Sequence, residues 1–193
     1  MSKIADALPD NADHDAVSLV SIPLGERRRD WFFVVMFAIF ASTSFLTDPV
    51  TLLGRPDPNS RWFMSRFVYH SGTDSLILVD PRFVQVTVGT SAVLFGVFYV
   101  VLIYAFVRGR EWIRLPAVFY AGMVVMGTGV YLAVGLLGDA PLFHLACGPD
   151  SAYDYKFVSA AKSLAYNLPY PLVALLLVAR MWRVHPFARR RAC

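Results

Sequence analysis

The chain has 193 residues, of which 56% are hydrophobic and only 17% charged, with a formal net charge of +4 and a mean hydropathy of +0.51. Soluble domains carry near a quarter charged residues, so this balance excludes an ordinary water-soluble fold and fits one membrane domain. Two cysteines, Cys147 and Cys193, are too few for a disulfide framework and lack metal-ligand spacing.

Residues 1–26 (MSKIADALPDNADHDAVSLVSIPLGE) are polar with no long apolar run and read as a flexible cytoplasmic tail. A charged entry, ERRRD, then leads into the first of four long apolar stretches, Trp31 to Leu53, Phe83 to Val107, Leu115 to Leu137 and Phe157 to Trp182. At 1.5 Å per residue each covers about 30 Å, the thickness of a hydrocarbon core. The second and third contain no Asp, Glu, Lys, Arg or His, and the run from Phe95 to Val107 offers no polar face to water. The fold class is therefore an all-α membrane protein, a bundle of four transmembrane helices over residues 27–187, closed by a basic tail, 188–193. The first stretch resembles a signal peptide's apolar core but lies deep in the chain, and no small-residue cleavage pattern follows it, so it reads as a retained anchor.

Four spans put twelve of the Lys and Arg residues on one side: Lys3, Arg27, Arg28, Arg29, Arg108, Arg110, Arg114, Arg180, Arg183, Arg189, Arg190 and Arg191. The other side holds six, Arg55, Arg61, Arg66, Arg82, Lys156 and Lys162. Positive charge collects on the cytoplasmic side, which places both termini there. Cys147 and Cys193 then lie on opposite sides of the bilayer and cannot pair within the chain. Trp31, Trp112 and Trp182 fall at the expected cytoplasmic boundary, where an indole prefers the interface. The basic C-terminal end reads as a contact for anionic headgroups rather than nucleic acid.

Polar groups retained at depth mark function in a membrane bundle. The first stretch ends in FLTDPV. Asp48 there reads either as a boundary carboxylate, with Pro49 bending the chain out, or as an acid facing the interior. The segment before the second stretch, residues 54–82, is long for a bundle. It holds Trp62, Phe63, His70 and Asp74 and is expected to fold over the outer mouth as one or two short helices. The second stretch carries Gln85, Thr87, Thr90 and Ser91, with Thr87, Thr90 and Ser91 expected on one helical face. Such hydroxyls pack against a neighbouring helix or line a pocket. Gly122, Gly127, Gly129 and Gly135 of the third stretch admit either close helix approach or a bulky ligand. The third loop contains a lone His144, and neither it nor His70 has ligand spacing, so no metal site is expected.

The fourth stretch is the most irregular: Asn167, Pro169 and Pro171 interrupt SLAYNLPYPLVALLL. Each proline removes a backbone donor, so a kinked fourth helix is expected, its freed carbonyls facing a packing partner or a cavity. Tyr166, Asn167 and Tyr170 are the local polar partners.

Together these landmarks resemble the EXPERA group of four-helix membrane proteins, which includes the emopamil-binding sterol isomerases and the sigma-2 receptor, with the closer likeness to the sigma-2 type. The likeness rests on Trp31 entering a helix that ends in Asp48, on the hinge YAFVRGREWIRLPAVFY (Tyr104 to Tyr120), and on Tyr166, Pro169 and Tyr170 followed by a basic tail; it covers residues 27–187. The resemblance implies a largely apolar internal cavity that takes sterols or amine drugs. It carries two acids onto Asp48 and Asp74, and a glutamate of the family falls near Ser91. The isomerase branch needs a histidine and acids in its second and third helices, and this chain has none from Phe83 to Val107 or from Leu115 to Leu137. That departure argues against Δ8–Δ7 sterol isomerisation, since acid–base chemistry needs a titratable group in reach.

Three readings remain open. One is a membrane protein that binds or handles a sterol-like or isoprenoid lipid through Asp48, Asp74, Thr87, Ser91, Tyr166, Asn167 and Tyr170. Another is an isomerase or cyclase protonating an alkene of such a lipid, with Asp48, Asp74 or Asp154 as acid. The third is a scaffold or assembly partner. The expected partners are membrane lipid and, as a candidate assembly, a second copy of the chain; no cofactor is called for.

Overall fold

The computed structural model describes residues 19–71, 74–137 and 156–190. Cys147, Cys193, His144, Asp154 and most of the third loop lie outside the described residues.

The first apolar stretch forms two helical pieces, α1 (Asp30–Leu46) and α2 (Asp48–Leu53), meeting at Thr47. Pro49 sits in the first turn of α2, where its missing N–H costs nothing. The following segment folds into two short helices, α3 (Phe63–Ser71) and α4 (Ser75–Val79). The second span runs through α5 (Arg82–Thr90), a wide π-helical turn over Ser91–Phe95, and α6 (Gly96–Arg108). After a short 3-10 turn, Glu111–Ile113, the third span is the unbroken α7 (Arg114–Leu137). The fourth divides into α8 (Ala160–Asn167) and α9 (Pro169–Met181). These give four helical spans long and apolar enough to cross a membrane, Asp30–Leu53, Arg82–Arg108, Glu111–Leu137 and Ala160–Met181. The chain is a multi-pass integral membrane protein built as a four-helix bundle.

Two differences from the sequence reading concern the chain ends. Residues 19–26, expected in a loose tail, are docked: β1 (Leu19–Ser21) pairs antiparallel with β2 (Ala188–Arg190), Leu19 opposite Arg190 and Ser21 opposite Ala188. The first residues of the expected basic tail, 188–190, belong to the same ribbon. It ties the two terminal segments together at one end of the bundle, as an even number of spans requires. The fourth helix also starts later than the apolar run. Phe157 precedes it and packs on α7, its N–H donating to the Gly135 carbonyl at 2.8 Å. A Cβ at position 135 would come within 2.0 Å of the Phe157 ring, so only glycine leaves room for it.

A buried ionic cluster explains the docked termini. Arg27 and Arg180 both donate to the Asp30 carboxylate, Arg180 through Nε at 2.8 Å and Nη2 at 3.0 Å. Arg27 also donates to the carbonyls of Ile22 at 2.8 Å and Phe106 at 2.7 Å, so its guanidinium links the entry segment, α1 and α6. The Phe187 ring lies against both guanidinium groups, 4.8 Å from that of Arg27 and 5.3 Å from that of Arg180. The hinge joins the same assembly. Arg114 donates to the Met181 carbonyl at 3.0 Å, and Glu111 accepts from the Phe187 N–H at 2.9 Å. Gly109 adopts a positive φ of 63°, and a Cβ there would meet the Ser21 hydroxyl at 2.7 Å.

Apolar packing forms two clusters. The larger joins α1, α6, α7 and α9 through Phe33, Phe37, Tyr99, Phe106, Tyr120 and Leu177. The smaller gathers Leu76, Val84, Tyr131, Leu132, Val134 and Phe157.

Candidate functional site

A cavity of about 150 Å³ lies between the two clusters. Its walls come from all four spans and from the two short helices, which contribute Val68 and Ile77. The segment between the first two spans therefore does reach the cavity, as a cover built from α3 and α4.

Three of the four spans are irregular where they line it. The first breaks at Thr47, and Thr47, Asp48 and Thr51 all face the cavity. The second adopts its wide turn at Ser91–Phe95, and Thr87, Ser91, Phe95 and Tyr99 line the same wall. The fourth breaks at Leu168, flanked by the lining residues Asn167 and Tyr170. Irregular backbone is expensive in hydrocarbon unless it is buried in protein or lines a polar cavity. Only the third span is unbroken, and there Gly127 lines the cavity without a side chain.

The wide turn follows from the spacing of the wall. Residues 87, 91, 95 and 99 recur every four positions, and at 3.6 residues per turn such a series drifts by about 120° over its length. A locally wider turn takes up that drift and keeps all four on one side. Thr90 departs from the face expected to hold it with Thr87 and Ser91, since within the regular α5 it stands about 60° from Thr87 on the side away from Ser91. Thr90 lies instead beside Leu52, Gln85, Val86 and Gly89 in an outward groove, its hydroxyl donating to the Val86 carbonyl at 2.7 Å. Thr87 likewise donates to its own backbone, at the Phe83 carbonyl, while its side chain borders the cavity. Gln85 is held by Arg82 at 3.0 Å and by Asp80, away from the cavity.

Asp48 is the cavity's only carboxylate among the described residues. Hydroxyls of Thr47, Ser44 and Ser91 surround it; Thr47 Oγ1 stands 3.3 Å from Oδ1, and the two serine oxygens are 3.1 Å from each other. Opposite, the Tyr170 hydroxyl pairs with Thr43 at 2.8 Å, and its ring stacks on Phe40 at 4.2 Å. Asn167 donates from Nδ2 to the Ser163 carbonyl at 2.9 Å, leaving its amide oxygen available to the cavity it lines.

Two expected site residues stand elsewhere. Asp74 is buried but does not line the cavity; it caps α4, accepting from the Leu76 N–H at 3.1 Å, and accepts from the Tyr131 hydroxyl. Tyr131, its hydrogen-bond partner, does line the cavity. Burial raises the Asp74 carboxyl above its ordinary 3.8, while Tyr131 and the backbone N–H groups pull it back down. Tyr166 is 69% exposed and does not line the cavity, although its neighbour Asn167 does.

The lining hydroxyls not singled out in the sequence lie inside apolar runs: Thr47, Thr51, Tyr99 and Tyr131. A search at depth for hydroxyls as well as for ionisable groups would have found the tyrosines, which bury their O–H only with a partner or a cavity at hand. Among the described residues no group of three or more His, Cys, Asp or Glu side chains is placed to hold a metal ion.

Residues 60–181 match the family model for EXPERA, the expanded EBP superfamily. The matched segment takes in the cover and the last three spans and begins after Asp48. No curated protein matches the chain.

Proposed function

The chain belongs to the EXPERA family, and from that premise we propose that it binds a sterol-like or isoprenoid lipid by its polar end in the intrabundle cavity. The observation that carries this reading is Asp48, the one lining carboxylate among the described residues, set among three hydroxyls at the level where three spans break. Its chemistry suits a ligand amine or hydroxyl. An amine gains a charge-assisted hydrogen bond, and a hydroxyl can donate to Asp48 while accepting from Ser91. Asn167 and Tyr170 face the same space from the fourth span, and the aromatic wall of Phe95 and Tyr99 suits a ring.

Size limits the ligand's pose. A space of about 150 Å³ accommodates roughly one six-membered ring, the scale of a cavity that takes benzene. A fused polycycle enters whole only if flexible lining such as Met123 moves; otherwise one end inserts and the remainder stays beyond the cavity. We place both termini on the cytoplasmic side, on the charge bias of the loops.

The test is purification in native-lipid discs followed by mass spectrometry of retained lipids. A stoichiometric sterol- or isoprenoid-like species is expected, and Asp48→Asn should deplete it. Retention of bulk phospholipid alone would overturn the reading and favour the scaffold role. An isomerase or cyclase role has one observation in its favour: Asp48 lies where an alkene could receive its proton. It would need a second group to take a proton back, and the third span brings only hydroxyls to the cavity. Incubation of the retained lipid with the protein in heavy water distinguishes the two, since turnover through protonation leaves deuterium on carbon.

A further inference from the structure

At the end of the bundle that carries the terminal ribbon, a groove of about 520 Å³ opens between the start of α1 and the end of α9. Its floor is the ionic cluster, in which Arg27 and Arg180 share Asp30 and leave one positive charge uncompensated. The other acid lining it, Glu26, faces Arg189 at 3.8 Å. Arg28, Arg29 and Arg183 form its exposed rim with His185, and among the described residues none of these three arginines has an ion-pair partner. The groove therefore holds five arginines against two carboxylates.

Its position relative to the bilayer is marked on both sides. Trp31, beside Arg28 and Arg29 in sequence, is 52% exposed, and Trp182, adjoining Arg183, is 79% exposed. Exposed indoles of this kind sit at the headgroup level. Further along the same helices the outward surface is apolar, with Val35 and Ile39 on α1 and Leu172, Leu175 and Leu176 on α9 exposed. A ligand that fits all three features has an anionic phosphate in the groove and hydrocarbon along the helices.

We propose that this groove is a headgroup site for an anionic phospholipid, separate from the cavity and independent of what the cavity binds. The fixed floor charge orients the phosphate, and the rim arginines donate to its oxygens. Because Arg27 and Arg180 also join both terminal segments to the bundle, an anion bound here braces the terminal ribbon against the membrane surface.

The test uses the full chain in detergent, titrated by native mass spectrometry with phosphatidylglycerol and with phosphatidylcholine of the same acyl chains. Each arginine near a charged membrane surface is worth about a fivefold change in partition. The protein should therefore prefer the anionic lipid by at least about tenfold, and Arg28→Gln/Arg29→Gln/Arg183→Gln should bring the two lipids to parity. Arg61→Gln/Arg66→Gln/Lys162→Gln removes equal charge at the opposite membrane face and should leave the preference in place. The single substitutions Arg28→Gln and Arg183→Gln supply the same comparison, each with partial loss, if the triple variant does not fold. Equal binding of both lipids by the unmodified chain, or equal losses in the two triple variants, would overturn the site. Tighter binding of inorganic phosphate than of phosphatidylglycerol at equal concentration would overturn it as a lipid site and leave a free-anion site.

Discussion

Asp48→Asn isolates the charge of the cavity from its shape. Asparagine keeps the volume and one oxygen, so Thr47 Oγ1, 3.3 Å away, and the Ser44–Ser91 pair keep an acceptor. The fold should therefore survive, with a thermal midpoint within a few degrees. Ligand affinity should change according to ligand charge. A cationic amphiphile whose ammonium meets Asp48 loses a hydrogen bond to a charged group, about 1.5–3 kcal/mol, or roughly 10- to 150-fold in Kd. Its neutral hydroxyl analogue exchanges one neutral acceptor for another and should lose less than about threefold. The full Coulomb attraction of such a pair, about 4 kcal/mol at an effective dielectric of 20, is an upper limit because the carboxylate must shed its hydroxyl partners to meet the ligand. The assay is displacement of a radiolabelled amine amphiphile from the purified protein in lipid discs, repeated with the hydroxyl analogue as competitor. An unchanged Kd for the amine would refute the assignment of Asp48 as the ligand's partner. Equal losses for both ligands would show that the substitution had disturbed the cavity rather than its charge.

Other predictions concern the fold that supports the cavity. Gly135→Ala places a Cβ within 2.0 Å of the Phe157 ring. It should destabilise the protein by about 1–3 kcal/mol, read as a lower thermal midpoint, with Phe157→Ala in the same chain relieving the clash. Asp30→Asn leaves Arg27 and Arg180 facing each other without a carboxylate in a site where Asp30 is 1% exposed. A loss of about 3–5 kcal/mol is expected, visible as faster protease cleavage near the terminal ribbon. Asp74→Ala removes the α4 cap and the partner of the Tyr131 hydroxyl, at a cost of about 2–4 kcal/mol, whereas Asp74→Asn keeps the shape and should cost less. The pH dependence has a definite sign. Burial raises the Asp74 pKa above 3.8, so the folded state holds the proton more tightly than the unfolded chain. The stabilisation of the protonated form is complete below that unfolded value and is lost as pH rises through the folded one. Thermal midpoints across that range should fall with pH more steeply for the unmodified chain than for Asp74→Asn.

The spans were legible because lipid leaves the chain little freedom. A backbone crossing hydrocarbon must satisfy itself as helix, and its side chains must be apolar for about 20 residues. Breaks were legible where chemistry announces them: Asp48 and Pro49 in the first span, Asn167 and Pro169 in the fourth. The wide turn at Ser91–Phe95 was not, because SAVLF contains no proline and the turn answers a demand from neighbouring helices. Tyr166 lies outside the cavity although helical spacing sets it one turn from Tyr170, whereas its neighbour Asn167 lines it. The ionic cluster at the terminal end was beyond a local reading, since Asp30 and Arg180 are 150 residues apart.

The two ends of the bundle divide the work between them. At the terminal end the helices are regular, and buried ion pairs, a hinge glycine and a two-stranded ribbon fix them together. Such a cluster contributes little net stability compared with apolar packing of the same volume, so its use here is to hold geometry. At the other end three spans give up regular helix at one level. That surrender is affordable only because the first end is fixed, and it exposes backbone turns, hydroxyls and Asp48 to a shared space. α7 is the exception that makes the arrangement workable. It runs unbroken from the hinge past the cavity to Phe157, linking both packed clusters. Gly127→Leu, which fills cavity space from the rigid helix, should abolish ligand binding while leaving the thermal midpoint nearly unchanged. Loss of both together would mean instead that the cavity level is part of the fold's packed core.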